Sequence, residues 1–212
     1  MEIKYRALCV KTEDYKENDK LITLVTAEQG KILASAKSVK KINSKLKLPC
    51  TSPCFGEYIL TKNGGRHAII GCSVEECFLG SWQDIKKYSA TQIVLEALEK
   101  TTEEGIEASN ELKNALISLA YINNEDISPF IFSLWFLTSL FADLGIDLKS
   151  HNTIPSKYQD LIISISGMEP SDLGTLEITS GELFKMFVFI GHLFLEDLSV
   201  HIYSIKEAQK LL

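Results

Sequence analysis

Hydrophobic residues recur at every second position up to about residue 78 and at every third or fourth position after Gly80. A chain with that change of period folds as strands first and helices second. Five strands are predicted, at about 5–12, 20–27, 30–38, 54–62 and 66–77. The third alternates Ile32, Ala34 and Ala36 with Leu33, Ser35 and Lys37, the pattern of a half-buried strand. The fifth sets Ala68, Ile70, Cys72 and Val74 on one face and His67, Ile69, Gly71 and Ser73 on the other. Between strands, Glu13–Asp19 reads as a charged loop and Glu28-Gln29-Gly30 as a tight turn, while Asn63-Gly64-Gly65 offers glycines able to take positive φ. Five short strands within residues 1–80 suit a small closed barrel, most commonly an OB-fold, with an SH3-like barrel as the alternative.

Beyond Gly80, Ser81 and Asp84 have the spacing of a capping box opening a helix at about 82–102. A second helix, about 107–122, places Leu112, Ala115, Leu116 and Leu119 on one stripe. Ser128-Pro129 supplies an N-cap and a first helical residue for a third, which ends at Gly145. Its sequence, PFIFSLWFLTSLFADL, is apolar on every side and belongs in the middle of a bundle. Thr179 and Glu182 box the start of a second such helix, to about Leu198, expected to pack on the first, and a short amphipathic helix starts near Ser204. The stretch 146–178, with Pro155, Gly167, Pro170 and Gly174, is the least regular and holds one short helix at 157–165. The expected division is therefore a barrel domain, 1–80, and an all-α helical domain, 81–212.

The charge follows the same division. Residues 1–80 carry 13 Lys and Arg against 9 Asp and Glu, net +4, whereas residues 81–212 carry 9 against 19, net −10. Within the basic part, Gly30–Lys47 holds six lysines, and no acid occurs between Glu28 and Glu57. On a chain of net charge −6 this cluster is not general basicity: it either solvates a loop or meets a local polyanion. Any nucleic acid would be confined to the basic part, because the acidic part repels it. The N-terminus lacks the apolar core of a secretory signal, and the most apolar windows, Phe130–Leu144 and Leu183–Leu195, fall short of a membrane span, so a cytosolic protein is expected. Five cysteines, in the close pairs Cys50/Cys54 and Cys72/Cys77 with Cys9 apart, suit reduced thiols in that compartment.

Chemistry-bearing motifs are missing. No nucleophile elbow, P-loop, H-E-x-x-H or dinucleotide-binding glycine pattern occurs, and the four histidines are scattered. Cys50, Cys54, Cys72 and Cys77 could supply four thiolates to zinc, but their spacing is not the two-residue knuckle and they lie in or near predicted strands, where cysteine is ordinarily a small apolar residue. His192 and Glu196 share a helix face without further ligands and read as a polar patch. A non-enzymatic binding protein is the first functional expectation. The alternative is an acidic helical adaptor that binds only protein, its lysines serving solubility.

The run YRALCVKTEDYKENDKLITLVTAEQGKILASAKSVKKINSKL resembles the bacterial recombination mediator family RecO. Tyr15, Asp19, Lys20, Thr23, Gly30, Lys31, Ala36, Lys37 and the Lys40-Lys41…Ser44-Lys45-Leu46 tail fall in the family's order and spacing. The likeness continues through Leu48-Pro49 and Gly56-Glu57 to Glu76-Cys77-Phe78, with LFADLG at 140–145 as a further echo. The resemblance implies an OB-fold followed by a helical domain, without catalysis or cofactor, in the bacterial cytoplasm and associated with the nucleoid. RecO-like proteins bind single- and double-stranded DNA and anneal complementary strands, including strands coated by single-strand-binding protein. They recognise that protein's acidic, apolar-ended C-terminal tail and, with RecR, help load RecA. The implied DNA contacts are Arg6, Lys20, Lys31, Lys37, Lys40, Lys41, Lys45 and Lys47, with Tyr5, Tyr15 and Phe55 the nearby aromatics. The tail is expected on the helical domain, where Lys86, Lys87, Lys113, Lys185, Lys206 and Lys210 are the available cations. Many relatives carry a four-cysteine zinc module just after the position of Gly145. Here 145–178 contains no cysteine, so that module is expected to be lost or reduced and no metal bound.

Overall fold

A computed structural model describes residues 2–148 and 155–212. Contacts divide the chain into two compact units, one formed by Met1–Phe78 with Leu98–Leu112, the other by Leu79–Ala97 with Lys113–Leu212. The first therefore takes in a segment, Leu98–Leu112, from beyond the change of period at Gly80.

The strands are β1 (Glu2–Tyr15), β2 (Asp19–Thr26), β3 (Gly30–Ala36), β4 (Cys54–Asn63) and β5 (Arg66–Cys77), closed into a barrel in the order β1-β2-β3-β5-β4. That is the OB-fold arrangement. Closure depends on β1, which pairs with β4 over Glu2–Cys9 and with β2 over Ala7–Tyr15, the register shifting between Cys9 and Lys11. Such a one-residue bulge bends a strand and lets it serve two neighbours. The remaining seam is a short parallel contact, Ala34 opposite His67 and Ser35 opposite Ala68. As its alternation predicts, β3 sends Ile32, Ala34 and Ala36 into the core and leaves Leu33 54% exposed.

The fifth strand departs from simple alternation. Leu60 pairs with Ile69 and Ile59 with Gly71, so Ile70 is an extra residue. The bulge shifts the phase: Ile69 enters the core, Cys72 packs against it, and Ile70 is turned out to solvent. The expected grouping of Ile70 with Cys72 fails for that reason. The thiol expectation also needs correction. Cys54 and Cys77 are register partners on β4 and β5 with Cα atoms 4.2 Å apart, and they are joined as a disulfide. Cys9, Cys50 and Cys72 remain free thiols, pushed above their usual range chiefly by burial, Cys50 to about 12 and Cys72 to about 11.

The lysine-rich connection between β3 and β4 is a chain of turns with two faces. Val39, Leu46 and Cys50 turn inward onto the barrel core, while Lys37, Lys41, Lys45 and Lys47 are exposed. Tyr58, fully buried on β4, ties this loop down by directing its hydroxyl to the carbonyls of Pro49 (2.6 Å) and Cys54 (3.1 Å). On the opposite side of β3, residues 103–108 lie on the β2–β3 turn. Lys31 N–H donates to Glu103 O, Gly105 N–H to Gln29 O and Ala108 N–H to Ala27 O. Gly30, at φ +57°, permits this approach, since a Cβ there would meet Glu103 O at 2.2 Å and Ile106 O at 2.4 Å.

The described helices are α1 (Ile85–Thr101), α2 (Ser109–Asn124), α3 (Pro129–Asp143), α4 (Ser156–Ser166), α5 (Ser180–Leu198) and α6 (Tyr203–Ala208). Helix α1 starts later than the Ser81–Asp84 spacing predicts. Asp84 is itself the cap, its Oδ1 accepting from Lys86 N–H (2.7 Å) and Lys87 N–H (3.0 Å), and Leu79–Gln83 form a 3-10 turn before it. Helix α3 is buried at every position from Pro129 to Phe141 and ends as predicted at Gly145. There Gly145 N–H reaches Ala142 O and Ile146 N–H reaches Phe141 O, the paired bonds of a Schellman end. Helix α5 opens with the Thr179–Glu182 capping box and packs on α3 through Phe194 on Phe141 and Phe187 on Phe130. It is not apolar all round as α3 is: Leu183, Met186, Phe187, Ile190, Leu193 and Phe194 form one buried stripe, and Phe184 and Leu195 are exposed. The irregular 146–178 region includes 149–154, which lie outside the described residues; α4 and a 3-10 turn at Pro170–Thr175 account for most of the remainder. No described helix is long and apolar enough to cross a membrane.

Candidate nucleic-acid interface

Closing an OB barrel brings the β1–β2 turn and the β4–β5 turn to the same edge of the β2–β3 face, whatever the sequence of the turns. In this barrel they bound a groove of about 630 Å³. Lys16 comes from the first turn with Tyr15 and Asp19 from the strand ends beside it, Gly65 from the second with Asn63 and Arg66 beside it, and Lys37 directly follows β3. The floor is Leu21, Leu33, Ser35, His67 and Ala68, and Glu104 stands at its margin. The β4–β5 turn closes in two residues because Gly64 (φ +56°) and Gly65 (φ +80°) take the left-handed conformation between the paired Asn63 and Arg66.

Lys16, Lys37 and Arg66 are not ion-paired with any described residue, and Lys16 lies 5.2 Å from the centre of the Tyr15 ring. An unpaired cation at a groove wall can accept a phosphate without first releasing a carboxylate. Tyr15, 40% exposed, and Leu33 supply apolar surface between those cations for the face of a base.

Of the eight basic residues singled out from sequence, only Lys37 lines this groove. Lys41, Lys45 and Lys47 extend from it along the β3–β4 loop, Lys47 donating to Ile42 O at 3.2 Å. Lys40 is paired with Asp14 at 2.8 Å and holds that carboxyl below its usual range. Arg6 makes a two-point pair with Glu75 (3.0 and 2.6 Å) and sits 5.2 Å from the Phe55 ring centre, holding Glu75 low. Lys20 is half-buried on β2, with Asp14 and Ala36 as register partners. Lys31 points to a second, smaller groove and donates its ammonium to Glu99 O at 2.9 Å. Exposed ion pairs contribute about 0–1 kcal/mol, so Arg6 and Lys40 could exchange their carboxylates for phosphates at little cost, but neither lines the groove.

Lys16 and Arg66 carry no signal of their own in the sequence. Lys16 lies in the β1–β2 turn and Arg66 at the start of β5, both outside the lysine cluster, and only the strand order of the barrel puts them beside Lys37. The expected OB topology carried that signal. Among the described residues no group of three or more His, Cys, Asp and Glu is placed to hold a metal.

The family described as Recombination protein O N terminal matches residues 1–78. Residues 1–78 are similar to the RecO N-terminal domain. Similarity extends further than that domain. A DNA repair protein RecO from Clostridium perfringens (strain 13 / Type A) is 32% identical over 153 residues, 72% of this chain and 62% of the relative. Those from Syntrophomonas wolfei and Clostridium novyi are 26% identical over 163 residues and 33% over 147, covering 76% and 67% of this chain and 64% and 56% of the relatives. The matched part thus spans less than two thirds of each RecO relative's length. In the RecO-type barrel, the groove between the β1–β2 and β4–β5 turns is the OB-fold's usual site for an oligonucleotide.

Proposed function

We propose that the chain is a non-enzymatic DNA-binding protein of DNA repair and recombination, whose barrel, residues 1–80, holds single-stranded DNA in the groove between Lys16, Lys37 and Arg66. The observation that carries this reading is that groove: three cations free of carboxylate partners around an exposed Tyr15 and Leu33, on the face where OB-folds take oligonucleotides. From Lys37 the track continues onto Lys41, Lys45 and Lys47, and Arg6, Lys20, Lys31 and Lys40 add positive potential around it. Contacts of this kind hold phosphates and read no sequence, which suits a protein that pairs strands of any sequence. Binding of double-stranded DNA, annealing of complementary strands, cooperation with RecR and loading of RecA on strands coated by single-strand-binding protein follow from the RecO likeness, in the bacterial cytoplasm and on nucleoid DNA.

The acidic, apolar-ended tail of single-strand-binding protein is proposed to dock on the helical part, 81–212. Support comes from an apolar groove between α5 and α6, lined by Phe187, Val188, Leu195, Ile202 and Ile205 with His192 and Lys206 at hand. Fluorescence anisotropy of a labelled single-stranded oligonucleotide, titrated with the protein over a salt series, tests the first claim. Binding that weakens linearly in log salt is expected. No binding at low salt would favour the alternative, an acidic adaptor that contacts only protein.

A further inference from the structure

The β2–β3 face carries two adjoining grooves of opposite character, and one acid, Glu104, stands in both. The larger, described above, is bordered by Lys16, Lys37 and Arg66 against Asp19 and Glu104. The smaller, of about 390 Å³, shares its Leu21, Leu33 and Glu104 walls and adds Lys11 and Lys31 against Glu13 and Glu99. Cations outnumber acids in the first and acids outnumber cations in the second. The two cations of the second are also already engaged, Lys11 with the Glu13 carboxylate at 3.3 Å and Lys31 with the Glu99 carbonyl at 2.9 Å. Asp19, the other acid of the larger groove, accepts from Ser38 N–H at 2.8 Å and so serves the β3–β4 loop.

Glu104 is fixed where the grooves meet. It bridges to Gly30 across the β2–β3 turn, and its neighbours Glu103 and Gly105 are hydrogen-bonded to Lys31 and Gln29. The backbone that carries it is thus anchored, and its carboxylate, exposed and free of any ion pair with a described residue, places an uncompensated negative charge between the grooves.

We propose that Glu104 is an electrostatic stop that ends the path of a single strand on the barrel, turning it away from the acid-lined groove and toward Lys37 and the β3–β4 loop. This rests on the reading that the larger groove holds DNA. A phosphate carried past Leu33 would come against Glu104 and then Glu13 and Glu99, so the strand follows the basic side. The stop sets how many nucleotides one barrel covers and which way the strand leaves it.

The test is anisotropy with the full chain on oligonucleotides of increasing length, comparing wild type with Glu104→Gln, Glu104→Lys and, as a control, Glu2→Gln, an exposed acid that lines neither groove. Glu104→Gln is expected to tighten binding about three- to tenfold at low salt, an effect that fades as salt rises, and Glu104→Lys to tighten it further. Affinity should stop rising at a longer oligonucleotide in both variants than in wild type, whereas Glu2→Gln should behave as wild type. Equal affinity and an equal length plateau for wild type and Glu104→Gln, with Lys37→Ala and Arg66→Ala still weakening binding, would overturn the stop and leave the groove reading intact. A wild-type protein that binds no single-stranded DNA at any salt would overturn both.

Discussion

Replacing Gly30 by Ala should detach residues 103–108 from the barrel. Position 30 has φ +57°, and a left-handed residue other than glycine costs about 1–2 kcal/mol. The added Cβ would also lie 2.2 Å from Glu103 O and 2.4 Å from Ile106 O, both backbone atoms that no rotamer change can clear. Relief requires the segment to move off, which forfeits the bonds Lys31 N–H to Glu103 O, Gly105 N–H to Gln29 O and Ala108 N–H to Ala27 O. At about 0.5–1.5 kcal/mol each, those three are worth roughly 1.5–4.5 kcal/mol, so the total loss should be about 2.5–6.5 kcal/mol. Gly105→Ala is the matched comparison: its φ is +81°, but nothing lies within 4 Å of a Cβ, so only the conformational cost of about 1–2 kcal/mol applies. Urea denaturation of both variants, with hydrogen exchange followed at the amides of Lys31, Gly105 and Ala108, reads the difference. A Gly30→Ala protein no less stable than Gly105→Ala, with those three amides still protected, would refute the close-approach argument.

Other outcomes follow from single contacts. Tyr58→Phe removes the hydroxyl that serves the buried Pro49 carbonyl and should cost about 1–3 kcal/mol in a thermal or urea melt, since the acceptor is left unsatisfied. Thr179→Ala should cost about 1 kcal/mol by removing the α5 cap. The Lys157 ammonium first, and then the Thr179 N–H, hold the Glu182 carboxyl down at about 2. Because that folded-state value is depressed, the carboxylate's stabilisation of the first turn of α5 is complete above the ordinary glutamate range and is lost as pH falls from about 4.5 toward about 2; hydrogen exchange in that turn should show it, and Glu182→Gln should abolish the pH dependence. Alkylation without reductant at neutral pH should leave Cys54 and Cys77 unlabelled even in denaturant, while the buried Cys9 and Cys50 label only once the chain unfolds and the half-buried Cys72 labels before them, as mass spectrometry would report.

Much of the fold is written in local pattern. The alternation of β3, the Asn63-Gly64-Gly65 turn, the Thr179–Glu182 box and the uninterrupted apolar run of α3 each specify their element without help from distant residues, and each appears where its pattern puts it. What local pattern does not contain is pairing. The bulge at Ile70 exists because β5 carries one residue more than β4 between two fixed pairs, and that is invisible in β5 alone. The Cys54–Cys77 bond depends on the same register. Segment 98–112 joins the barrel through backbone bonds to the β2–β3 turn, contacts for which no side-chain period is needed. The candidate site divides likewise. The lysine cluster is conspicuous in sequence, yet Lys40 and Lys31 are engaged with protein groups, whereas Lys16 in its turn and Arg66 at the start of β5 meet Lys37 only because the barrel closes.

The most direct measurement is a salt titration of single-stranded DNA binding by wild type, by a groove variant with Lys16, Lys37 and Arg66 all changed to Ala, and by a loop variant with Lys41, Lys45 and Lys47 changed to Ala. Two oligonucleotides of unrelated sequence are used, and a melt verifies folding. Each single-strand phosphate contact contributes about −0.7 to the slope of log affinity against log salt, so the groove variant should flatten that slope by roughly 2 units, equally for both sequences. A folded groove variant with the wild-type slope, or a slope lost in the loop variant alone, would contradict the assignment of the groove.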